Sequence, residues 1–303
     1  MAFTAQDVKN LREMTGCGMM DCKKALTASD GDVDKAIEFL REKGLAASQK
    51  KAGRIAAEGM AYATVINGVG VVVEVNAETD FVAKNDKFVD FVKGVADVVA
   101  KEAPADLAAL MACNYADTGR TVTEQQQEMV LVIGENISVR RFARYDENVS
   151  VAYVHAGGKI GVLVNLEVEG GIDATAVGKD VAMQIAALNP RFWDKSQVSQ
   201  EILDEEKKIM MAQMANDEKL AGKPAAVVEK IVVGKLNKFY VENCLLQQEF
   251  VKDNTTTVEK YIAASAKALG GKITFKNAVR FEKGEGIEKK QDDFAAEIAS
   301  LVK

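Results

Sequence analysis

Histidine is almost missing from this sequence: His155 is the only one in 303 residues. That all but excludes metal sites built on imidazole. A Ser/His/Asp triad would have to use that one residue, and no strained Gly-x-Ser-x-Gly elbow supports it. Cysteine is also sparse. Cys17, Cys22, Cys113 and Cys244 form no Cys-x-x-Cys pair, and four dispersed thiols make a poor zinc set. A chain of this length does not need disulfide staples. With only three prolines, long uninterrupted helices are permitted. No apolar run approaches the roughly 18 residues of a membrane span. The polar start, Met1 to Asp7, lacks a basic-then-apolar signal pattern. The expectation is a cytoplasmic protein with no membrane role. A concentrated basic face is lacking as well. Lysine and arginine number 39 against 45 acids, a formal net charge of −6, which suits no general nucleic-acid binder. Finally, there is no Gly-x-x-x-x-Gly-Lys-Ser/Thr phosphate loop and no Gly-x-Gly-x-x-Gly after a strand. Gly157-Gly158-Lys159 reads as turn chemistry.

The residues present are those of an ordinary globular chain, 48% hydrophobic and 28% charged. The length suggests two or three units. Residues 1–53 read as three short helices. The first carries Val8 and Leu11 and ends at Gly16-Cys17-Gly18; the second begins near Met19. Val33, Ala36, Ile37 and Leu40 share one face of the third. Asp32 is its N-cap after the Ser29-Asp30-Gly31 turn, and Gly44 its stop. Ser48 to Arg54 reads as a linker or short helix.

Strand patterns then take over. Met60–Ile66 and Val69–Val75 flank Asn67-Gly68, a strong hairpin signal. Helices are expected from about Phe81 to Lys101 and from about Thr121 to Gly134. Ala61-Tyr62 is answered by Ala152-Tyr153, and Gly70–Val73 by Gly161–Val164, both 91 residues later. Each hairpin leads into an apolar-rich helix, Phe88–Val99 and Val181–Leu188. The spacing suggests two copies of a strand–strand–helix unit, the second introduced by a strand around Ile137–Tyr145.

From about Ser199 to Leu246 two helical stripes follow, Leu203, Met210 and Met214, then Val228, Ile231, Val232, Leu236 and Phe239. Gly222-Lys223-Pro224 separates them as stop and start, which predicts an antiparallel hairpin. Its apolar stripe either packs back on the body or meets another subunit. A helix at Val258–Leu269, a strand at Lys272–Phe281 and an amphipathic helix from Ile287 to Val302 complete the chain. The fold class is α+β.

Among many acidic residues, Thr79-Asp80-Phe81-Val82 stands out because it follows a strand. Thr79 or Asp80 could cap a helix starting near Phe81. An aromatic just after such a cap is usually core. Met19 and Met20 are adjacent at a helix start and cannot both face one core, so one is expected at the surface, where methionine suits adaptable contacts.

Three blocks carry a family resemblance: Thr15-Gly-Cys-Gly-Met-Met-Asp-Cys-Lys-Lys-Ala-Leu26, Asn76-Ala-Glu-Thr-Asp-Phe-Val-Ala-Lys-Asn85 and Arg280-Phe-Glu-Lys-Gly-Glu-Gly-Ile-Glu-Lys289. Each resembles a signature of the elongation factor Ts family, in order and position. Tyr153-Val-His-Ala-Gly-Gly-Lys-Ile-Gly-Val-Leu163 is similar to a fourth. The resemblance implies a guanine-nucleotide exchange factor for elongation factor Tu, binding its GDP-bound and nucleotide-free forms. It implies no cofactor, no bound metal and no bond chemistry on this chain. It also implies a ubiquitin-associated-like helical domain (1–53) and a core in two halves (54–146 and 147–270). A helical hairpin used for dimerisation is implied at about 190–246, and a C-terminal module at 271–303. Thr79, Asp80, Phe81 and Val82 match the segment that dislodges magnesium from the partner, with Phe81 inserting its ring. Met19, Met20 and Lys23 match a docking surface on the nucleotide-binding domain, and His155 a hairpin-tip contact. Val251 and Lys252, in Phe250-Val-Lys-Asp253, resemble a further contact. Glu249 stands where the family often has proline. The competing reading is a protein-binding adaptor without exchange activity. The Asn76–Asn85 block favours exchange, since a scaffold has no need of it.

Overall fold

Polar side chains at helix starts set the first elements. The computed structural model describes residues 3–215 and 225–288. Thr4 and Asp7 form a reciprocal capping box that opens α1 (Ala5–Thr15), and Gly16, left-handed at φ 68, closes it. α2 (Met19–Ala28) follows the extended Gly18, and Asp32 caps α3 (Val33–Lys51) through the Lys35 N–H. Val8, Leu11, Cys22, Leu26, Ala36 and Leu40 form their shared core.

β1 (Glu58–Ile66) and β2 (Val69–Ala77) pair antiparallel around Asn67-Gly68. Both turn residues have positive φ, as the dipeptide predicts. α4 (Asp80–Ala83) is a single turn, and α5 (Asp86–Glu102) starts afresh. The one helix expected from Phe81 to Lys101 is therefore broken at Lys84-Asn85. Asn85 is the cause: its side chain accepts the Lys87 N–H at 3.0 Å and restarts the helix as a new cap. α5 lays Phe88, Phe91, Val92, Val95 and Val99 against β1 and β2. α6 (Leu107–Ala112) precedes α7 (Val122–Ile133), which has its own Thr121–Glu124 capping box and stops at left-handed Gly134.

Gly44 does not stop α3, contrary to the sequence expectation. The helix runs on to Lys51, so most of the Ser48–Arg54 stretch is helical. A Cβ at Gly44 would meet the Gln127 carbonyl oxygen of α7 at 3.3 Å. The glycine serves the close approach of α3 to α7 instead of a termination.

β3 (Ser138–Tyr145) is a second correction. It lies beside β2 in a sheet of order β1-β2-β3 and completes the first sheet, where the sequence placed it at the head of the second copy. The second sheet begins with β4 (Val149–His155) and β5 (Ile160–Glu169), followed by α8 (Thr175–Leu188). α9 (Gln200–Ala215) and α10 (Ala225–Asn243) come next; the Gly222-Lys223-Pro224 break between them lies outside the described residues. β6 (Glu249–Phe250) and β7 (Asp253–Thr257) make a short antiparallel pair. α11 (Val258–Leu269), capped by Thr257, leads into β8 (Lys272–Glu282), which closes the order β4-β5-β8. The helix expected from Ile287 to Val302 lies, beyond Glu288, outside the described residues. The class is α+β with antiparallel pairing.

Contacts divide the chain into two compact units. The first takes Met1–Arg144, Val154–Gly161 and the chain from Phe281 onward; the second takes Tyr145–Tyr153 and Val162–Arg280. In the second, α9 and α10 pack on each other through Met210, Phe239, Leu203 and Leu236. That accounts for part of the apolar stripe within the chain. Ile209, Met211 and Val233 remain exposed.

A buried carboxylate organises the first unit. Glu74, on β2, is fully buried and is held by Arg140 and Arg141 of β3. The Gly284 N–H donates to it at 2.8 Å, and the Asn76 amide at 3.1 Å. Arg141 also lies over the Phe281 ring, 4.2 Å from its centroid. Gly284 itself is left-handed at φ 70, with the Ala57 carbonyl oxygen where a Cβ would stand. Burial alone would raise the Glu74 pKa; the hydrogen bonds from Gly284, Asn76, Arg140 and Arg141 outweigh it and hold the carboxyl below its ordinary 4.5.

Glu74→Ala is therefore expected to destabilise the protein by about 3 kcal/mol in chemical denaturation, because Arg140 and Arg141 lose their buried carboxylate partner, while both keep contacts with Glu285. A depressed folded-state pKa gives a stabilisation that is complete above the ordinary glutamate value. It is lost as pH falls through the folded value. Below pH 4.5 wild-type stability should decline more steeply than that of Glu74→Ala.

Candidate protein-docking site

The segment after β2 is where the sequence placed the main candidates. Thr79 occupies the N-cap position of α4, but its side chain makes no cap bond. Its hydroxyl donates instead to Glu135 Oε1 at 2.7 Å, and its N–H donates to Glu135 Oε2 at 3.0 Å. The expected capping by Thr79 is thus replaced by a contact with a residue 56 positions away. The neighbouring bond runs the other way: the Asn136 N–H donates to Glu78 Oε1 at 2.6 Å. Arg54 Nη1 lies 3.4 Å from the same oxygen, and the Asn136 amide donates to the Arg54 carbonyl at 2.8 Å. Residues 78–79 and 135–136 are clasped together by bonds from both sides.

The clasp leaves α4 with two contrasting faces. Val82 and Ala83 are buried, whereas Phe81 is 80% exposed. The residue pattern alone placed this ring in the core. The structure corrects that, because the buried side of α4 is already taken by Val82 and Ala83. Asp80 is exposed as well, paired with Lys84 at 3.3 Å across one helical turn.

Phe81 borders an open groove of about 550 Å³. Its opposite wall comes from the turn between α1 and α2: Gly16, Cys17, Gly18 and Met19. Lys87, at the start of α5, donates from Nζ to the Gly16 carbonyl at 3.2 Å and ties the two walls together. Met19 and Met20 are 51% and 63% exposed, so both are at the surface where one was expected. Neither is needed by the small core, which Cys22, Ala25 and Leu26 supply from α2. Lys23, one turn on, is exposed too.

The remaining candidates lie elsewhere. His155 ends β4 and is exposed at the head of a turn through Ala156, Gly157 and Gly158, all at positive φ. The Gly158 carbonyl accepts the Ala61 N–H at 2.8 Å, anchoring this tip on β1. Val251 and Lys252 form the β6–β7 turn in the second unit. The Val251 N–H donates to buried Gln184 at 2.8 Å, while its side chain is exposed. Lys252 pairs with Asp180 at 2.6 Å, and the Tyr261 hydroxyl donates to the same carboxylate at 2.6 Å. Burial pushes the Tyr261 pKa up to about 12, so that hydroxyl keeps its proton at neutral pH.

Glu135 and Asn136 are the residues that sequence reading missed. Glu135 follows the helix-stopping Gly134, and nothing local connects it to Thr79. Among the described residues no three His, Cys, Asp or Glu side chains gather as a metal site. No described helix is long and apolar enough to cross a membrane.

Exposed apolar side chains beside a groove mark a candidate surface for another protein. Comparison with known proteins gives the class a family. The sequence model described as Elongation factor TS matches residues 78–285. The chain is 48% identical over 307 residues to Elongation factor Ts of Syntrophotalea carbinolica, covering all of both proteins. It is 50% identical over 310 residues to Elongation factor Ts of Trichlorobacter lovleyi, covering 99% of this chain and 98% of that protein. Elongation factor Ts of Clostridium kluyveri is 47% identical over 306 residues, 99% of each. The chain belongs to the elongation factor Ts family.

An 80% exposed ring contributes little to its own fold. Phe81→Ala should change unfolding stability by no more than about 0.5 kcal/mol in urea titration and leave the circular dichroism spectrum intact.

Proposed function

We propose that this chain binds elongation factor Tu in its GDP complex, dislodges the partner's magnesium and promotes GDP release so that GTP can bind. The observation that carries this reading is the exposure of Phe81 on a clasped single-turn helix at the edge of a groove. Family membership supports it independently. The chain performs no bond chemistry of its own and acts in the cytoplasm.

Each candidate residue has a part in this reading. Thr79, Asp80, Phe81 and Val82 form the segment that acts on the magnesium side of the partner, with the Phe81 ring inserted between its helices. Met19, Met20 and Lys23 dock on its nucleotide-binding domain. His155, Val251 and Lys252 add contacts from the hairpin tip and the β6–β7 turn. Residues 1–53 serve as a ubiquitin-associated-like docking domain, followed by the two core halves, 54–146 and 147–270. The hairpin at about 190–246 serves as a dimerisation module, and residues 271–303 as a C-terminal module.

The energetics follow from linkage. A GTPase holds its nucleotide through loop amides, a lysine and a magnesium ion bridging the phosphates. Removing the ion exposes phosphate charge to uncompensated repulsion. An exchange factor must bind the empty partner better than the loaded one, and the coupling is reciprocal. A thousandfold weakening requires about 4 kcal/mol. Burying one aromatic side chain supplies about 1.5–3 kcal/mol. Phe81 thus carries a large share, and Asp80 and the docking methionines supply the rest.

Release of a fluorescent GDP analogue from purified elongation factor Tu tests the proposal. Sub-stoichiometric chain should accelerate release over many turnovers, and Phe81→Ala should slow the accelerated rate roughly 10- to 150-fold. A folded chain that gives no acceleration would favour the adaptor reading.

A further inference from the structure

The single turn Asp80–Ala83 is too short to hold its own shape in water, since isolated helices below about a dozen residues are marginal. It also lacks the side-chain cap that its Thr79 could supply, because that hydroxyl is turned away. Something outside the turn must set its direction. Val82 and Ala83 pack its inner side against β1 and β2, and the side-chain hydrogen bonds at its start converge on one carboxylate. Glu135 accepts both the N–H and the hydroxyl of Thr79, at 3.0 and 2.7 Å. The two bonds fix the residue from which α4 departs, and the Phe81 Cα lies only two residues further on.

The geometry points to Glu135 as a positioning residue for exchange: by gripping Thr79 through two hydrogen bonds it presents Phe81 in one orientation. We propose this role for it; the proposal rests on the reading that Phe81 engages elongation factor Tu. Glu135 itself touches no partner in this scheme. It removes alternative orientations of the turn before the complex forms, so less ordering remains to be done on binding. The Glu78–Asn136 bond supports the same strand-to-loop contact from the neighbouring position. It ends one residue earlier in the chain and leaves the direction of α4 to Thr79. Thr79→Val keeps the shape of the side chain and removes only the hydroxyl, whereas Thr79→Ser keeps the donor. Glu135→Gln retains one acceptor for the Thr79 N–H, and its amide can donate to the Thr79 hydroxyl oxygen.

The test is the maximal rate of fluorescent GDP release from elongation factor Tu and the concentration of full-length chain giving half of it. Glu135→Ala should lower the maximal rate about tenfold with the half-maximal concentration nearly unchanged, because the Met19–Met20 surface is intact. Glu135→Gln and Thr79→Ser should recover most of the rate, and Thr79→Val should lose it in part. The decisive comparison is the double variant. If Glu135 acts through the ring, adding Glu135→Ala to Phe81→Ala costs nothing more. A full additional loss in that background would overturn the proposal. So would a wild-type rate for both Glu135→Ala and Thr79→Val when Phe81→Ala is impaired. If Phe81→Ala alone exchanges normally, the functional reading beneath the proposal fails instead. Should Glu135→Ala fail to fold, Thr79→Val and Thr79→Ser carry the same comparison.

Discussion

A carboxylate buried inside a sheet must be answered with charge and hydrogen bonds, or it costs several kcal/mol. Glu74 imposes that condition on the first unit. Its partners come from β3 and from the turn at Gly284, far apart in sequence. The requirement therefore selects which strand lies beside β2. Once β3 is placed there, the residues just before it are brought beside those just after β2. The Glu78–Thr79 and Glu135–Asn136 clasp is the consequence. The signature block at the C-terminal side and the Asn76–Asn85 block are thus parts of one arrangement, joined through Glu74.

That arrangement explains how a large aromatic can be kept out of the core. Phe81 in water forgoes the stabilisation that burial of its side chain would bring. A chain left to itself would turn the ring inward. Val82 and Ala83 already fill the inward side of α4, and Glu135 fixes where the turn begins. Exposure of the ring is then enforced by its neighbours. On the proposed reading, the stabilisation forgone in the isolated chain is recovered in the complex.

Features that depend on neighbours in sequence were legible beforehand. The cap at Asp32, the turn at Asn67-Gly68 and the Gly16 stop each follow from a few adjacent residues. Misreadings arose where a distant residue decides. Gly44 looks like a helix stop until α7 is seen packed against it. Thr79 looks like a cap until Glu135 takes its hydroxyl. The place of β3 depends on Glu74, 66 residues away from Arg140. The break at Asn85 is an exception: the cap is local, and a strong apolar pattern on both sides hid it. For the site, Phe81 and the methionines were reached through resemblance, since pattern alone assigns an aromatic after a helix start to the core.

The second group of candidates follows a different physical logic from the first. Phe81 projects from a turn whose start is clasped, whereas the Lys252 side chain forms an ion pair with Asp180 whose two ends are both partly open to solvent. Such pairs are worth about 0–1 kcal/mol. Asp180 does not depend on the lysine, because the Tyr261 hydroxyl also donates to it, and that tyrosine stacks on Phe250 with ring centroids 4.1 Å apart. The backbone of the turn is secured separately through Gln184. The side chain of Lys252 can therefore leave Asp180 for an incoming acceptor at small cost while the turn that carries it stays in place. On the proposed reading, Phe81 sets where elongation factor Tu binds, and the exchangeable charge of Lys252 adjusts to it.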